Sequence, residues 1–178
     1  MIKSYDYLYK YVITFIFTFN AVTYGLNWNF EKSGTFDCPT NQIFANEIIM
    51  NTETLSLSGR GKNDLTIFTA ATRKRHFRIG ERATLSLRFI KLQNGNLYYD
   101  TNNDYTLDGT DTYVGGSVRI WVGGSIFIHD CYFLNNKASA GGAIWLNDID
   151  GLSDGISCSS NCGSMNVTGT TFEGSSYA

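Results

Sequence analysis

A loop rich in oxygen-bearing side chains is the first place in this sequence where residue type and spacing suggest chemistry. Its oxygen ligands occupy positions 1, 3, 5, 9 and 12 of the segment 100–111, as Asp100, Asn102, Asp104, Asp108 and Asp111. Calcium takes about six to eight oxygen ligands, so this spacing indicates a calcium site. Tyr105 stands at the sixth position, where such a loop needs glycine for its sharp turn. A polar loop without a metal is therefore the other interpretation.

The histidines and the other carboxylates do not fall into a catalytic pattern. A glycosidase needs two carboxyl groups at a set separation, and the repeat described below brings no two acids to aligned positions on one face. Asp130 aligns with Phe89 and Gly169, while His129 stands at a strand corner and His76 at the start of a strand. We expect these three polar residues at the surface, and we predict no catalytic residue and no cofactor. Polysaccharide lyase or hydrolase activity is the alternative.

Cysteines and a glycosylation sequence point to modification in a secretory compartment. Cys158 and Cys162 stand four positions apart and are close enough to form a disulfide that closes a small loop. Cys131 falls in an inward-facing column, where it acts as a small hydrophobic residue, and we expect no bond between it and Cys38. The sequence Asn-Val-Thr beginning at Asn166 is an acceptor for N-linked glycans, with Asn166 facing outward.

Charge is unevenly distributed although the whole chain is nearly neutral. The sequence has 14 basic and 16 acidic residues, a net charge of −2. Residues 60–91 hold nine bases and two acids, which gives +7, and residues 92–178 hold two bases and nine acids, which gives −7. The basic stretch is either a solvated outer face or a band that binds an anionic polysaccharide. Nucleic acid is not an expected partner, because no aromatic residues interleave with the run 73–75.

The start of the chain has the pattern of a secretory signal. In residues 1–25, an apolar run at 11–19 follows two lysines, and small residues stand at Ala21, Thr23 and Gly25. We predict cleavage after Thr23 or Gly25, secretion or display at the cell surface, and no membrane span once the signal is removed. An uncleaved anchor is the alternative, although the apolar run is short for a span.

Short apolar alternations recur along the rest of the chain and predict the elements that carry these residues. With Ala83, Gly124 and Gly163 in register, four columns align: Leu85/Ile126/Met165, Leu87/Ile128/Val167, Ile90/Cys131/Thr170 and Leu92/Phe133/Phe172. Two further columns precede them, Phe77/Val118/Ile144 and Ile79/Ile120/Leu146. The shortest step is 26 residues, and longer steps contain insertions of 15 and 13 residues. A fixed period with insertions is typical of a solenoid and predicts an all-β parallel β-helix with about four coils of three short strands.

Two short phrases within this repeat carry a family resemblance. The first is FLNN, which contains Phe133 and Asn136, and the second is GGAI, formed by Gly141, Gly142, Ala143 and Ile144. Together they resemble the repeat of polymorphic outer-membrane proteins, within the pectate-lyase-like group, over residues 48–178. The resemblance implies a right-handed β-helix and an adhesive role, and the wider group implies cleavage of acidic polysaccharides. We predict a structural or adhesive module whose partners are polysaccharides or cell-surface proteins.

The repeat also predicts boundaries. Residues 26–47 are expected to cap the solenoid, because an uncapped first coil exposes apolar side chains and strand edges. The β-helix is predicted over 48–178 and is expected to be truncated at its C-terminus, because another Gly-Gly pair is expected after Ala178. In the first coil, Leu65 and Ile67 are expected to face inward.

Corners and outward aromatics can be assigned from the same alignment. Gly95, Asn136 and Ser175 end aligned strands and are expected at corners with a left-handed backbone. The pair Gly141-Gly142 is expected to turn the chain tightly into the next strand. Four aromatic residues are expected outside the core, on different faces: Phe127, Tyr132 and Trp145 on strands, and Trp121 at a corner.

Overall fold

The structure, a computed structural model, describes residues 33–97, 114–146 and 163–177 of the 178-residue chain. These residues form strands and turns and contain no helix, so no helix among them is long and apolar enough to cross a membrane. The strands are β1 (Gly34–Asp37), β2 (Gln42–Phe44), β3 (Ile48–Met50), β4 (Thr54–Ser58), β5 (Thr66–Ala70), β6 (Phe77–Ile79), β7 (Thr84–Arg88), β8 (Ile90–Gln93), β9 (Val118–Ile120), β10 (Ser125–His129), β11 (Tyr132–Leu134), β12 (Lys137–Ala138), β13 (Ile144–Leu146), β14 (Ser164–Thr168), β15 (Thr171–Glu173) and β16 (Ser176–Tyr177).

The strands form three main sheets in which neighbouring strands are parallel. Sheet 1 has the order β1-β4-β7-β10-β14, sheet 2 the order β15-β11-β8-β5-β2, and sheet 3 the order β13-β9-β6-β3. The short strands β12 and β16 form a separate parallel pair. The chain visits sheets 1, 2 and 3 in that order and then returns to sheet 1. We call one such passage through the three sheets a strand cycle. The strands of the other two sheets thus belong to the crossover that a parallel pair requires.

The predicted register of the inward columns is confirmed. The paired residues include Leu85/Ile126/Met165, Leu87/Ile128/Val167, Leu92/Phe133/Phe172, Phe77/Val118/Ile144 and Ile79/Ile120/Leu146. Residues such as Leu87 and Ile128 are buried, and the rings of Phe133 and Phe172 stack with their centroids 4.9 Å apart. Because strand side chains alternate between faces, the residues between these columns face outward.

The predicted inward residues of β5 are wrong. Leu65 and Ile67 are only partly buried, whereas Thr66 and Phe68 are 0% and 2% exposed and pair with inward residues of β8. A shift of one residue exchanges the two faces of a strand. Thr66 tolerates its inward position because its hydroxyl donates a hydrogen bond of 2.6 Å to the carbonyl oxygen of Cys38.

The left-handed corner lies one residue before the predicted one. Positive φ angles occur at Asn94 (62°), Asn135 (53°) and Gly174 (57°), and not at Gly95, Asn136 and Ser175. Asn136 instead bonds to the preceding strand cycle through its fully buried side chain. Its Oδ1 accepts a hydrogen bond of 2.8 Å from the Gly95 N–H, and its Nδ2 donates one of 3.1 Å to the Leu92 carbonyl. The second asparagine of the FLNN phrase therefore satisfies buried backbone groups.

The tight turn predicted for Gly141-Gly142 is present, and the two glycines serve different purposes. Gly141 has a φ of +63°, a left-handed conformation that glycine adopts without steric cost. At Gly142, an added Cβ would lie 2.8 Å from the backbone oxygen of Ser176. The first glycine therefore turns the chain, and the second lets the next strand cycle approach closely.

Two strands lie inside the segment 26–47 that was predicted as a cap. Strand β1 pairs with β4 at the end of sheet 1, and β2 pairs with β5 at the end of sheet 2. Cys38 and Phe44 are 2% and 7% exposed and belong to the same hydrophobic core as the later strands. The sheets therefore begin at residue 34 and not at 48. The predicted signal, residues 1–25, lies outside the described residues.

Candidate functional site

A cluster of charged and polar side chains stands at the corner between sheets 1 and 2. His129 ends β10, and Asp130 follows it with a φ of 49°. Lys62, from the turn between β4 and β5, places its Nζ 3.0 Å from Asp130 Oδ1, and His129 Nε2 lies 3.1 Å from Asp130 Oδ2. Thr168 ends β14, with its Oγ1 2.8 Å from His129 Nδ1. We call these four residues the corner cluster.

Hydrogen bonding fixes the proton arrangement of the corner cluster. The hydrogen bond from Lys62 lowers the pKa of Asp130, and the charges of His129 and Arg88 also lower it, so Asp130 is a carboxylate. A carboxylate only accepts hydrogen bonds, and therefore His129 Nε2 carries a proton. When the ring is neutral, its Nδ1 accepts the hydrogen bond from the Thr168 hydroxyl.

A hydroxyl, an imidazole and a carboxylate in series can activate a nucleophile. In the corner cluster, the His129 side chain is 50% exposed, so water surrounds the imidazole on one side. Water weakens the electrostatic effects on which such activation depends. The corner cluster is therefore better explained as a set of polar contacts that link strand cycles than as a catalytic centre. His129 is a corner residue as predicted.

A second cluster surrounds Glu47 and three arginines on the outer side of sheet 3. Arg75 Nε lies 2.9 Å from Glu47 Oε2, and Arg78 Nη2 lies 3.6 Å from Glu47 Oε1. Arg75 Nη1 also donates a hydrogen bond of 2.7 Å to the carbonyl oxygen of Val114. Arg119 pairs with Arg78 along the sheet. We call Glu47, Arg75, Arg78 and Arg119 the arginine cluster.

Burial and charge set the electrostatics of the arginine cluster. Burial lowers the pKa of Arg75 to about 10, Glu47 opposes this shift, and the neighbouring Arg119 and Arg78 add to it. Arg75 is therefore still charged at neutral pH. Guanidinium groups bind carboxylate, sulfate or phosphate through paired hydrogen bonds, and of the three arginines Arg78 has the most exposed side chain, at 39%.

Two tryptophans adjoin the arginine cluster, which corrects one prediction. The guanidinium carbon of Arg119 lies 4.2 Å from the ring centroid of Trp121, and Trp145 is the strand neighbour of Arg119 in sheet 3. The expectation that the outer aromatics lie on different faces is thus wrong for Trp121 and Trp145. It holds for Phe127 and Tyr132, which lie in sheets 1 and 2.

His76 is fully buried, which contradicts the expected surface position. Its Nε2 lies 3.0 Å from the carbonyl oxygen of Phe68, and its Nδ1 lies 2.9 Å from Ser117 Oγ. Burial lowers the pKa of His76 to about 4. His76 and Ser117 are each 0% exposed, so no substrate can reach them. Nothing in the sequence around Phe77 indicates that the polar residue before it, His76, lies in the interior.

Several predicted site residues lie outside the described residues. These are the calcium candidates Asp100, Asn102, Asp104, Asp108 and Asp111 and the disulfide candidates Cys158 and Cys162. Within 33–97, 114–146 and 163–177, no three His, Cys, Asp or Glu residues are grouped as metal ligands. Cys38 and Cys131 are buried free thiols, and burial raises the pKa of each to about 11. Asn166 is exposed on β14.

No protein-family model, curated protein or solved structure matches this chain.

Proposed function

We propose that this chain is a structural and adhesive module, secreted or held at the cell surface, and built as a right-handed parallel β-helix. The observation that carries the proposal is the fixed succession of sheets 1, 2 and 3, with every pair parallel and in register. A winding chain accounts for that succession, and parallel crossovers are right-handed in nearly all proteins. Five strands in each of sheets 1 and 2 favour five turns over the predicted four.

An adhesive role is supported by the repeat resemblance and by the outward faces. In sheet 1, the outward column Thr54/Thr84/Ser125/Ser164 is a row of hydroxyl groups at the spacing of neighbouring strands, about 4.8 Å. Regular polar faces suit contact with an extended partner, such as a cell-surface polysaccharide or protein. The FLNN and GGAI phrases support this proposal because they resemble the repeat of polymorphic outer-membrane proteins.

A binding assay combined with a turnover assay tests this function. The secreted full-length chain would be immobilised and exposed to cells with intact or enzymatically trimmed surface polysaccharides. Retention of cells without any shortening of added polysaccharides is the expected result. Depolymerisation of a polysaccharide would favour the enzymatic alternative, and equal retention of cells by a denatured sample would overturn adhesion.

The arginine cluster favours a second candidate, the binding of an anionic polysaccharide. Arg78 keeps 39% of its side chain exposed and stands next to the buried Arg75 and Arg119. Titration with a polyuronate at low and high salt would measure this binding. We expect Arg78→Ala to weaken it and to reduce its salt dependence, whereas Arg88→Ala, on another sheet, is the matched control. Equal losses in both variants would indicate non-specific attraction to the basic stretch.

A further inference from the structure

An exposed phenylalanine and the glycan acceptor asparagine are neighbours on the outer face of sheet 1. Phe127 of β10 pairs with Asn166 of β14 in register, so their side chains point the same way. Phe127 is 46% exposed, and Asn166 is exposed on the terminal strand of the sheet. The other residues of this outward column are Thr35, Ser56 and Ser86. The column thus exposes one aromatic ring among small polar residues, directly beside the acceptor.

Two hydrogen-bonded pairs flank Phe127 and Asn166. On one side, Ser164 Oγ donates a hydrogen bond of 2.8 Å to Ser125 Oγ. On the other side, the hydroxyl of Thr168 and the imidazole of His129 are joined at 2.8 Å. These pairs hold β10 and β14 together beside the ring and offer polar groups around it. The exposed ring of Phe127 is thus a small apolar surface with polar groups on both sides.

We propose that Asn166 carries an N-linked oligosaccharide whose first sugar lies over the ring of Phe127. The inference rests on the proposed secretion, because the modification requires entry into a eukaryotic secretory compartment. A lipid-linked oligosaccharide diphosphate is the donor. The Asn166 amide nitrogen forms a bond to the anomeric carbon, the bond from that carbon to the diphosphate oxygen breaks, the lipid diphosphate leaves, and the amide proton passes to a base of the transferase.

The position of Phe127 gives the sugar a defined place to rest. Neighbouring strands lie about 4.8 Å apart, so a sugar attached to Asn166 begins one strand spacing from the ring. One face of a pyranose carries C–H groups, which pack on an aromatic face and remove apolar area from water. The hydroxyl groups at the edge of the sugar then lie near the two hydrogen-bonded polar pairs that flank the ring. The glycan thus explains an exposed phenylalanine in an otherwise polar column.

Secretion of the full-length chain from eukaryotic cells tests the site. The secreted protein would be treated with a peptide amidase that removes N-linked glycans and converts the acceptor to aspartate, and the product would be mapped by mass spectrometry. We expect conversion at Asn166 and no glycan in Asn166→Gln. Secreted protein that carries an unmodified Asn166 would overturn the inference while leaving secretion intact.

A double-variant cycle tests the contact with Phe127. Melting temperatures would be compared for the glycosylated and the enzymatically deglycosylated forms of the wild type and of Phe127→Ala. The glycan should raise the melting temperature of the wild type and have a smaller effect in Phe127→Ala, whereas Ser86→Ala, in the same column, should preserve the effect. An equal effect in all three proteins would overturn the proposed contact.

Failure of the proposed function can be separated from failure of this site. An unrelated signal sequence placed before the full chain directs it into the secretory pathway whether or not residues 1–25 act as a signal. Occupancy of Asn166 in that protein supports the site even if the natural start of the chain does not direct secretion. An unoccupied Asn166 in that protein contradicts the site.

Discussion

The imidazole Nδ1 of His76 lies 2.9 Å from the hydroxyl of Ser117, a residue 41 positions further along the chain, and both side chains are fully buried. The second ring nitrogen faces the carbonyl oxygen of Phe68 at 3.0 Å. A carbonyl only accepts, so Nε2 carries the proton, and Nδ1 of the neutral ring accepts the hydrogen bond from Ser117. The Ser117 hydroxyl could also accept from a second ring N–H, so it is burial of the charge, and not a lost hydrogen bond, that disfavours the protonated ring.

This arrangement predicts a loss of stability in acid. The pKa of His76 is about 4 in the folded protein and 6.5 as its ordinary value, so between these pH values the unfolded chain binds the additional proton. Stability is therefore complete above about pH 6.5 and falls as the pH decreases toward about 4, by on the order of 3 kcal/mol. Urea melts at several pH values would measure the slope.

A matched pair of variants assigns this slope to His76. His76→Gln removes the ionisable group and should abolish the dependence between these pH values, although the protein becomes less stable at every pH. His129→Gln, at the exposed corner, leaves His76 in place and should preserve the slope. A slope that persists in His76→Gln would mean that other groups cause it.

The inward columns could be predicted because apolar residues alternate and recur at a fixed period. Ile126 and Ile128 both fall in register with leucines of β7, as the alignment predicted. Buried polar residues could not be predicted in the same way. Thr66 and His76 look like surface residues, and their burial depends on Cys38 and Ser117, which lie 28 and 41 positions away.

The clusters depend on contacts that spacing does not reveal. The corner cluster joins Lys62, from a turn, to Asp130, and the alignment places no residue of that turn beside β10. The arginine cluster depends on Glu47, which precedes β3 in a segment predicted as a cap. Local periodicity therefore predicts the core columns, whereas ion pairs formed by turn residues require the folded structure.

The inward columns predict the cost of a core truncation. Ile128 is 1% exposed and lies between Leu87 and Val167, so Ile128→Ala should cost about 2–5 kcal/mol in the free energy of unfolding. The side chain of the neighbouring His129 is 50% exposed, so His129→Ala should cost less than about 1 kcal/mol. Denaturant melts of the two variants compare them directly. A larger loss in His129→Ala would contradict the register of β10.

The corner between β11 and β12 predicts opposite effects at adjacent asparagines. Asn135 has a φ of 53°, so Asn135→Gly should be tolerated and Asn135→Ala should cost about 1 kcal/mol. Asn136→Gly should cost about 2–3 kcal/mol, because it leaves the buried Gly95 N–H and Leu92 carbonyl without their side-chain partner. Thermal melts would rank the three variants. Equal tolerance of glycine at both positions would show that the Asn136 side chain does not stabilise the corner.

The arginine cluster predicts that two nearby arginines differ strongly in their contribution to stability. The Arg75 side chain is 5% exposed, contacts Glu47 at 2.9 Å and donates to the Val114 carbonyl. Removing it leaves a partly buried carboxylate without this partner, so Arg75→Ala should cost about 2–4 kcal/mol. Arg78 is 39% exposed and 3.6 Å from Glu47, so Arg78→Ala should cost less than about 1 kcal/mol.

Lysine substitution and added salt separate geometry from charge at Arg75. Arg75→Lys keeps the charge, but a single ammonium cannot reproduce the two directed contacts, so its stability should lie between that of the wild type and of Arg75→Ala. Salt screens exposed pairs more than buried ones, so the loss in Arg75→Ala should persist in high salt while any loss in Arg78→Ala disappears. Chemical denaturation with urea, which is uncharged, allows salt to be varied independently. Equal losses in Arg75→Ala and Arg78→Ala would contradict the burial of the pair formed by Arg75 and Glu47.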